Sequence, residues 1–131
     1  MTIFPPVVAG LVYFALGGIW FSPLFGKQWD KAVGFARPEK WRPAAVYYLG
    51  PLSGCVVTSF ATAFLFDLIQ PASLLQALKL GFLVGTGYGA SITGINAISP
   101  NMPKPGLYAA VVGAYHLTGL LLVAAVLFGL S

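Results

Sequence analysis

Apolar and polar positions are grouped along this chain in long blocks. The charged residues leave four windows without any Asp, Glu, Lys or Arg, namely 1–26, 43–66, 80–103 and 105–131. A helix rises about 1.5 Å per residue, so roughly 20 residues cross the hydrocarbon layer of a bilayer. Because lipid offers no partners to backbone N–H and C=O groups, such windows favour helices over open strands. The pattern predicts an all-α integral membrane bundle.

The same windows predict one domain over residues 1–131 with four transmembrane helices. We place these spans at about 5–25, 44–66, 77–98 and 106–130. Short loops join them, so neighbouring spans are expected to be antiparallel.

Proline and serine mark three of the predicted helix ends. Pro5 and Pro6 suit the first turn of a helix, where a missing N–H costs little. Pro23 removes a backbone hydrogen bond about one turn earlier and predicts a kink or an end of the first helix. Ser73 suits the N-cap of the third helix.

Five of the seven basic residues fall in one polar segment, Lys27–Arg42, between the first two spans. Aromatic residues interleaved with these bases indicate that the segment lies on the lipid headgroups. The residues predicted as interfacial anchors are Trp20, Lys27, Trp29 and Trp41.

The distribution of the basic residues predicts an orientation. Lys104 adds a sixth base to the loops that follow the first and third spans, whereas Lys79 is the one base on the other side. By the positive-inside rule these two loops face the cytoplasm and both termini lie on the non-cytoplasmic side.

Composition agrees with a membrane protein, since 58% of the residues are hydrophobic and 8% are charged, with a mean hydropathy of +0.86. The net charge of +4 needs no nucleic acid to explain it, because the bases sit beside predicted spans. The single cysteine excludes an intrachain disulfide. The N-terminus lacks the basic start of a secretory signal, so we expect it to remain as the first span.

His116 lies near the middle of the last predicted span. Polar groups at that depth usually face protein or water, because exposing them to lipid is costly. One interpretation is a neutral histidine that donates one hydrogen bond to a neighbour. The others are a proton- or substrate-linked role in a pathway and ligation of a pigment or haem, for which a single histidine is a weak signal. The other polar residues at similar depth are Tyr13, Cys55, Thr58, Ser59, Thr86, Tyr88 and Ser91.

Glycine dominates the third span. Gly81, Gly85 and Gly89 form a doubled small-xxx-small pattern, which lets a neighbouring helix approach closely. Gly113, one turn before His116, leaves room beside the imidazole. These four glycines are predicted helix-packing positions, either within one chain or between subunits.

The chain lacks the signatures of known catalytic and cofactor sites. It contains no CxxC, no HExxH and no phosphate-binding loop, and it holds no set of Ser, His and Asp that would serve as a triad. We therefore expect no enzyme activity, no metal and no cofactor. The spans also contain no charged residue at their centres, which argues against an ion-coupled carrier.

Two motifs give the chain a resemblance. Residues 17–29 read GGIWFSPLFGKQW and residues 114–117 read AYHL. The chain resembles a family of small, uncharacterised, four-span bacterial membrane proteins with a G-x-x-W-[YF]-S-P signature followed by L-F-G-K-x-W. Ala114 departs from the glycine expected there. The resemblance implies a multi-pass protein of the bacterial cytoplasmic (inner) membrane, and it implies no activity or functional residue.

Two functional hypotheses remain. In the first, a homo-oligomer passes or binds a small, uncharged or weakly basic solute along the third span and His116. In the second, the chain is a non-catalytic accessory or scaffold subunit of a larger membrane complex. The first predicts a water-accessible cavity that reaches His116, and the second predicts a dry bundle with an exposed glycine groove.

Overall fold

A computed structural model describes residues 2–131 of the protein. Within those residues every regular element is helical and there is no strand, so the predicted all-α class is confirmed. The elements in chain order are α1 (Phe4–Ile19), a first π segment (Trp20–Leu24), α2 (Gly26–Val33), α3 (Val46–Ile69), α4 (Leu74–Val84), a second π segment (Gly85–Ala90), α5 (Ser91–Ala97) and α6 (Pro105–Gly129).

Three helices in residues 2–131 are long and apolar enough to cross a membrane. They are Phe4–Leu24, Val46–Ile69 and Pro105–Gly129, close to the predicted spans 5–25, 44–66 and 106–130. The region predicted as a span at 77–98 differs, because the second π segment divides the helical run into α4 and α5. Neither part alone reaches membrane-spanning length, so the number of four spans stays a prediction.

Pro23 changes the end of the first helix in the expected way. It has no N–H to donate, and the helix widens into the first π segment around it. The N–H of Phe25 then bonds the carbonyl of Trp20, five residues back, at 2.7 Å. The chain turns at Phe25 and continues as α2, which ends at Gly34 with a left-handed φ of 71°.

The turn between α3 and α4 is closed by side chains. Gln70 ends α3 with a positive φ of 54°, and Ser73 caps α4 by accepting the N–H of Gln76 at 3.2 Å. The side-chain oxygen of Gln76 in turn accepts the N–H of Ala72 at 2.8 Å. The predicted N-cap at Ser73 is therefore confirmed.

α6 is the central helix of the molecule. It packs against α1 on one side and against α4, the second π segment and α5 on the other, while α2 covers its N-terminal part. α3 packs mainly on α1 and only touches α6. Most of the buried hydrophobic core comes from α1, α3 and α6: Ala9, Tyr13, Cys55, Ala63, Tyr115, Leu120, Val123 and Leu127.

The two basic loops meet at one end of the molecule. The N–H of Lys104 bonds the carbonyl of Ala32 at 3.1 Å, and Gly34 lies against Pro103. The opposite end holds Thr2, Asp67 and Ser131, which line one shared cavity. Both described chain ends therefore lie together, away from the basic loops.

Candidate functional site

The site is built on the middle of α6, where His116 faces the space between α1 and the second π segment. α6 carries no charged side chain and is apolar around its circumference, which is typical of a helix that other helices surround. Small residues above and below the imidazole, Gly113 and Gly119, let neighbouring elements approach it.

The hydroxyl of Tyr13 on α1 forms a hydrogen bond of 2.5 Å with Nδ1 of His116. The two rings are perpendicular, with centroids 6.1 Å apart. Tyr13 is 3% exposed, and its hydroxyl has no other hydrogen-bond partner within residues 2–131. A buried hydroxyl proton without an acceptor is costly, so the stable arrangement has Tyr13 donating to Nδ1. The ring proton of His116 then resides on Nε2.

Tyr115 links the same site to α3. Its hydroxyl donates to the backbone carbonyl of Tyr13 at 3.1 Å, and Sγ of Cys55 lies 3.6 Å from its oxygen. Because the single hydroxyl proton already goes to the carbonyl, the thiol of Cys55 must be the donor in the second contact. The bonds therefore run from α3 through α6 to α1 and hold the three helices in register.

Aromatic rings surround Tyr115 on the side of the basic end. The ring centroid of Phe21 lies 5.0 Å from that of Tyr115, and Trp20 lies 6.2 Å away. The indole N–H of Trp20 donates to the carbonyl of Val111 at 3.0 Å. Burial of such large rings contributes both area and edge-to-face contacts, which stiffen this wall of the site.

Glycines bring the second π segment close to α6. A Cβ added at Gly89 would lie 3.2 Å from Cβ of His116, and one added at Gly85 would lie 3.1 Å from Cα of Leu117. At Gly81 the nearest atom would be Cβ of Ala124, at 2.8 Å. These glycines of the third predicted span therefore pack within the chain, against α6.

The wide turns of the second π segment are supported by hydroxyl groups. Ser91 donates to the carbonyl of Thr86 at 2.7 Å, and Thr93 donates to that of Gly89 at 2.8 Å. The carbonyl of Thr86 also accepts the backbone N–H of Ser91, so the hydroxyl adds a second hydrogen bond to it. π segments within helices are frequent at functional sites, and this one lies beside His116.

The polar layer predicted at mid-span is only partly assembled. The side chains of Thr86, Tyr88 and Ser91 are exposed on the outer face, and none of them bonds His116. Ser59 is fully buried on α3 with no partner for its hydroxyl. Thr58 is partly buried, and its carbonyl accepts the hydroxyl of Thr62 at 2.8 Å.

The predicted interfacial anchors occupy the basic end. Lys27 is exposed at the start of α2, and Trp29 lies 6.4 Å from Phe21, ring to ring. The Arg37 guanidinium lies 5.3 Å from the ring centre of Trp41. The same guanidinium pairs with Asp30 at 2.8 Å. Trp20, by contrast, is directed toward α6 through its bond with Val111.

The sequence groups Tyr13 and Cys55 with His116, and the structure brings Tyr13 to His116 and Cys55 to Tyr115. Tyr115, Gly119 and Gly17 are not among the residues predicted for the site. Gly119 leaves the space for the ring of Tyr13, and a Cβ at Gly17 would lie 2.8 Å from the hydroxyl of Tyr115. The spacing of Gly113, His116 and Gly119 by three residues was the available signal. Which helix faces those glycines depends on packing, which the spacing does not specify.

Neither of the two described cavities includes His116. No cluster of three or more His, Cys, Asp or Glu forms in the part of the chain that the structure covers. The cavities measure about 100 and 210 Å³ and lie at the end that holds Asp67 and Ser131.

The fold and the site define an all-α protein whose three long apolar helices are compatible with a membrane protein. A family model described as "protein of unknown function (DUF1761)" matches residues 5–128. The chain therefore belongs to the DUF1761 family, in agreement with the resemblance to an uncharacterised family. Comparisons with curated proteins and with solved structures gave no match.

Proposed function

We propose that the protein crosses the bacterial inner membrane four times, as a homo-oligomer, and binds or passes a small uncharged solute at His116. Both termini lie on the non-cytoplasmic side in this proposal. The bilayer is its surroundings, and no nucleic acid, cofactor or metal takes part.

The fourth crossing is supported by the packing of the helical run Leu74–Ala97. The run is uninterrupted by loop, and it lies antiparallel to α6 along its length. Gly81 meets Ala124 near one end of α6, and Ala90 meets Gly113 toward the other. A run that accompanies a membrane-spanning helix over this length is itself expected to cross the bilayer.

The observation that carries the proposed binding role is the free N–H of His116. Tyr13 holds Nδ1, whereas Nε2 has no hydrogen-bond partner within residues 2–131. The imidazole is only partly buried, so this donor can meet a bound molecule. A donor held in position in apolar surroundings is the kind of polar group that orients a small ligand.

The small number of helices that one chain packs around α6 supports a homo-oligomer. α6 is the one helix enclosed by others, and α3 exposes large apolar side chains such as Val57, Phe64 and Leu68. Both described cavities lie at the end that holds Asp67 and Ser131, and neither reaches His116. We propose that copies associate to complete a continuous pathway.

A second candidate function, a scaffold subunit, is favoured by a different pair of glycines. Gly50 and Gly54 are four residues apart on α3, and an added Cβ at either would meet nothing within 4 Å. Such positions allow close approach of a helix from another protein. The groove expected from Gly81, Gly85 and Gly89 is not open, because these glycines contact α6.

The binding role is tested by solute entry into proteoliposomes. Stopped-flow light scattering would follow glycerol, urea and methylamine for the parent and for His116→Ala, with Tyr88→Phe on the outer face as the matched control. We expect faster entry of at least one solute than in empty liposomes, lost in His116→Ala and retained in the control. Equal entry in parent and His116→Ala, or no entry above empty liposomes, would contradict passage through this site.

The orientation is tested with single cysteines. Lys40→Cys and Ser131→Cys would each be placed in a Cys55→Ser chain and treated with a membrane-impermeant maleimide in intact spheroplasts. We expect labelling at 131 and none at 40, with the reverse in inverted vesicles. Labelling of both positions from one side would contradict the proposed odd number of crossings, three, between them.

A further inference from the structure

We propose that His116 donates its Nε2 hydrogen to the carbonyl oxygen of a neutral, lipid-soluble molecule, which enters sideways from the bilayer between α1 and the second π segment. This inference rests on the proposed membrane location and deepens the proposed binding role. It names the chemical class of the ligand and its route.

The direction of the Tyr13–His116 hydrogen bond determines whether the ligand must carry a hydrogen-bond acceptor or a donor. Tyr13 is buried and has no acceptor other than Nδ1 of His116 within the described chain, so its proton lies in that bond. Nε2 is then a donor and cannot accept. A ligand with a carbonyl oxygen completes this hydrogen bond, whereas one that offers only a donor does not.

The route follows from the way three elements pack. α1 and the second π segment each pack on α6, but they make at most slight contact with each other. Farther along α6, Leu120, Val123 and Leu127 are almost completely buried. His116 keeps part of its surface exposed, and its Nε2, which has no partner in the described chain, is not among the fully buried polar atoms.

Gly89 allows the second π segment to lie against the base of the imidazole with no side chain between them. It lies against Cβ of His116, and any side chain there would press on the base of the imidazole and on Leu120. The two described cavities, which are lined in part by Asp67, do not include His116. In this proposal the imidazole is reached laterally, from the hydrocarbon layer.

The charge distribution selects a neutral ligand. No Asp, Glu, Lys or Arg occurs in residues 1–26, 80–103 or 105–131, which contain all three elements around the site. A charged molecule would lose its hydration there without gaining a counter-charge. A ring or ester carbonyl on an apolar chain can partition into lipid and still offer an acceptor.

The experiment uses the fact that His116 is the one histidine of the chain. Protein labelled with ¹⁵N-histidine in lipid nanodiscs gives one pair of imidazole signals. Three probes would be added separately: decylubiquinone, decylbenzene and N-methylacetamide. The two lipid-soluble probes would be matched in their concentration in the membrane, and the amide would be added at the same concentration in bulk water. The first has a carbonyl and a ten-carbon chain, the second has the chain without an acceptor, and the third is a water-soluble amide.

We expect the protein without probe to show a protonated Nε2 and an unprotonated Nδ1. Decylubiquinone should shift the Nε2 signal in a saturable manner, and neither decylbenzene nor N-methylacetamide should do so. Tyr13→Phe should reduce that shift, because Nδ1 then loses its donor and the ring proton divides between the two nitrogens. Tyr88→Phe should leave the shift unchanged.

Three results would overturn the inference. A protonated Nδ1 in the free protein would reverse the direction of the bond. A shift caused by N-methylacetamide but not by decylubiquinone would exclude the lateral route, yet it would leave the proposed binding of a small solute at His116 intact. Equal shifts with decylubiquinone and decylbenzene would show contact without carbonyl recognition.

Discussion

Gly119 of α6 leaves the space that the ring of Tyr13 occupies. A Cβ added to this glycine would overlap Cε1 of Tyr13 and approach Cζ to 3.0 Å. The ring in turn brings its hydroxyl to Nδ1 of His116. The absence of one methyl group on α6 therefore determines whether α1 can reach the histidine.

Gly119→Ala should destabilise the protein through this contact. Overpacking costs about 1–3 kcal/mol, which exceeds the roughly 1 kcal/mol that alanine gains over glycine in helix propensity. Thermal unfolding in detergent would measure the change. Gly18→Ala on α1 is the matched control, because its Cβ meets nothing within 4 Å. A Gly119→Ala protein as stable as this control would contradict the close packing of Tyr13.

Gly81→Leu should separate α4 from α6. The added side chain would begin 2.8 Å from Cβ of Ala124 and 2.9 Å from the carbonyl oxygen of Leu120, and the oxygen belongs to rigid backbone. We expect a loss of about 3 kcal/mol, at the upper end of overpacking costs. Gly87→Leu, at an open position of the second π segment, should change the unfolding temperature much less. Similar losses in both variants would argue against α4 packing through Gly81.

Gly34→Ala should loosen the basic end without unfolding the bundle. The φ of 71° at this position costs a non-glycine residue about 1–2 kcal/mol, and a Cβ would lie 3.0 Å from Cγ of Pro103. Limited trypsin digestion should cut after Lys31 and Lys40 faster than in the parent. Gly106→Ala, at an open position, provides the control. Unchanged digestion of Gly34→Ala would contradict the ordered turn at this residue.

Cys55 should resist thiol reagents while the protein is folded. It is 6% exposed and directs its proton to Tyr115, so little thiolate is available for reaction. N-ethylmaleimide should label the detergent-solubilised protein slowly and the denatured protein rapidly, as mass spectrometry would show. Lys40→Cys in a Cys55→Ser chain should react rapidly in the folded protein. Rapid labelling of Cys55 itself would show that α3 does not pack on α6 as described.

Much of the fold was predictable because long apolar helices depend on local composition. Charge-free windows located three long helices to within a few residues, and Pro23 and Ser73 located an end and a cap. The second π segment was not predicted, because a change from i−4 to i−5 bonding leaves no distinct local pattern. The second π segment depends on how Gly85 and Gly89 fit against α6.

The site was only partly predictable for a related reason. Depth along a helix can be counted from the sequence, and this count grouped Tyr13 and Cys55 with His116. In the structure Tyr13 bonds His116, and Cys55 contacts the neighbouring Tyr115. The count also placed Thr86, Tyr88 and Ser91 at this level, although the structure exposes them on the outer face. Depth does not specify which way a side chain is directed around the helix axis.

By itself the sequence determined that this chain is helical, apolar and basic at one end, because backbone hydrogen bonding in lipid and the placing of charges depend on residues close together in the chain. Only the tertiary structure decided that α6 is central and that Tyr13 meets His116 across 103 positions of sequence. Such contacts depend on the rotation and close approach of helices. The rotation and approach of the helices are set by single missing methyl groups, such as the one at Gly119. No local sequence pattern identifies the residue that faces this glycine.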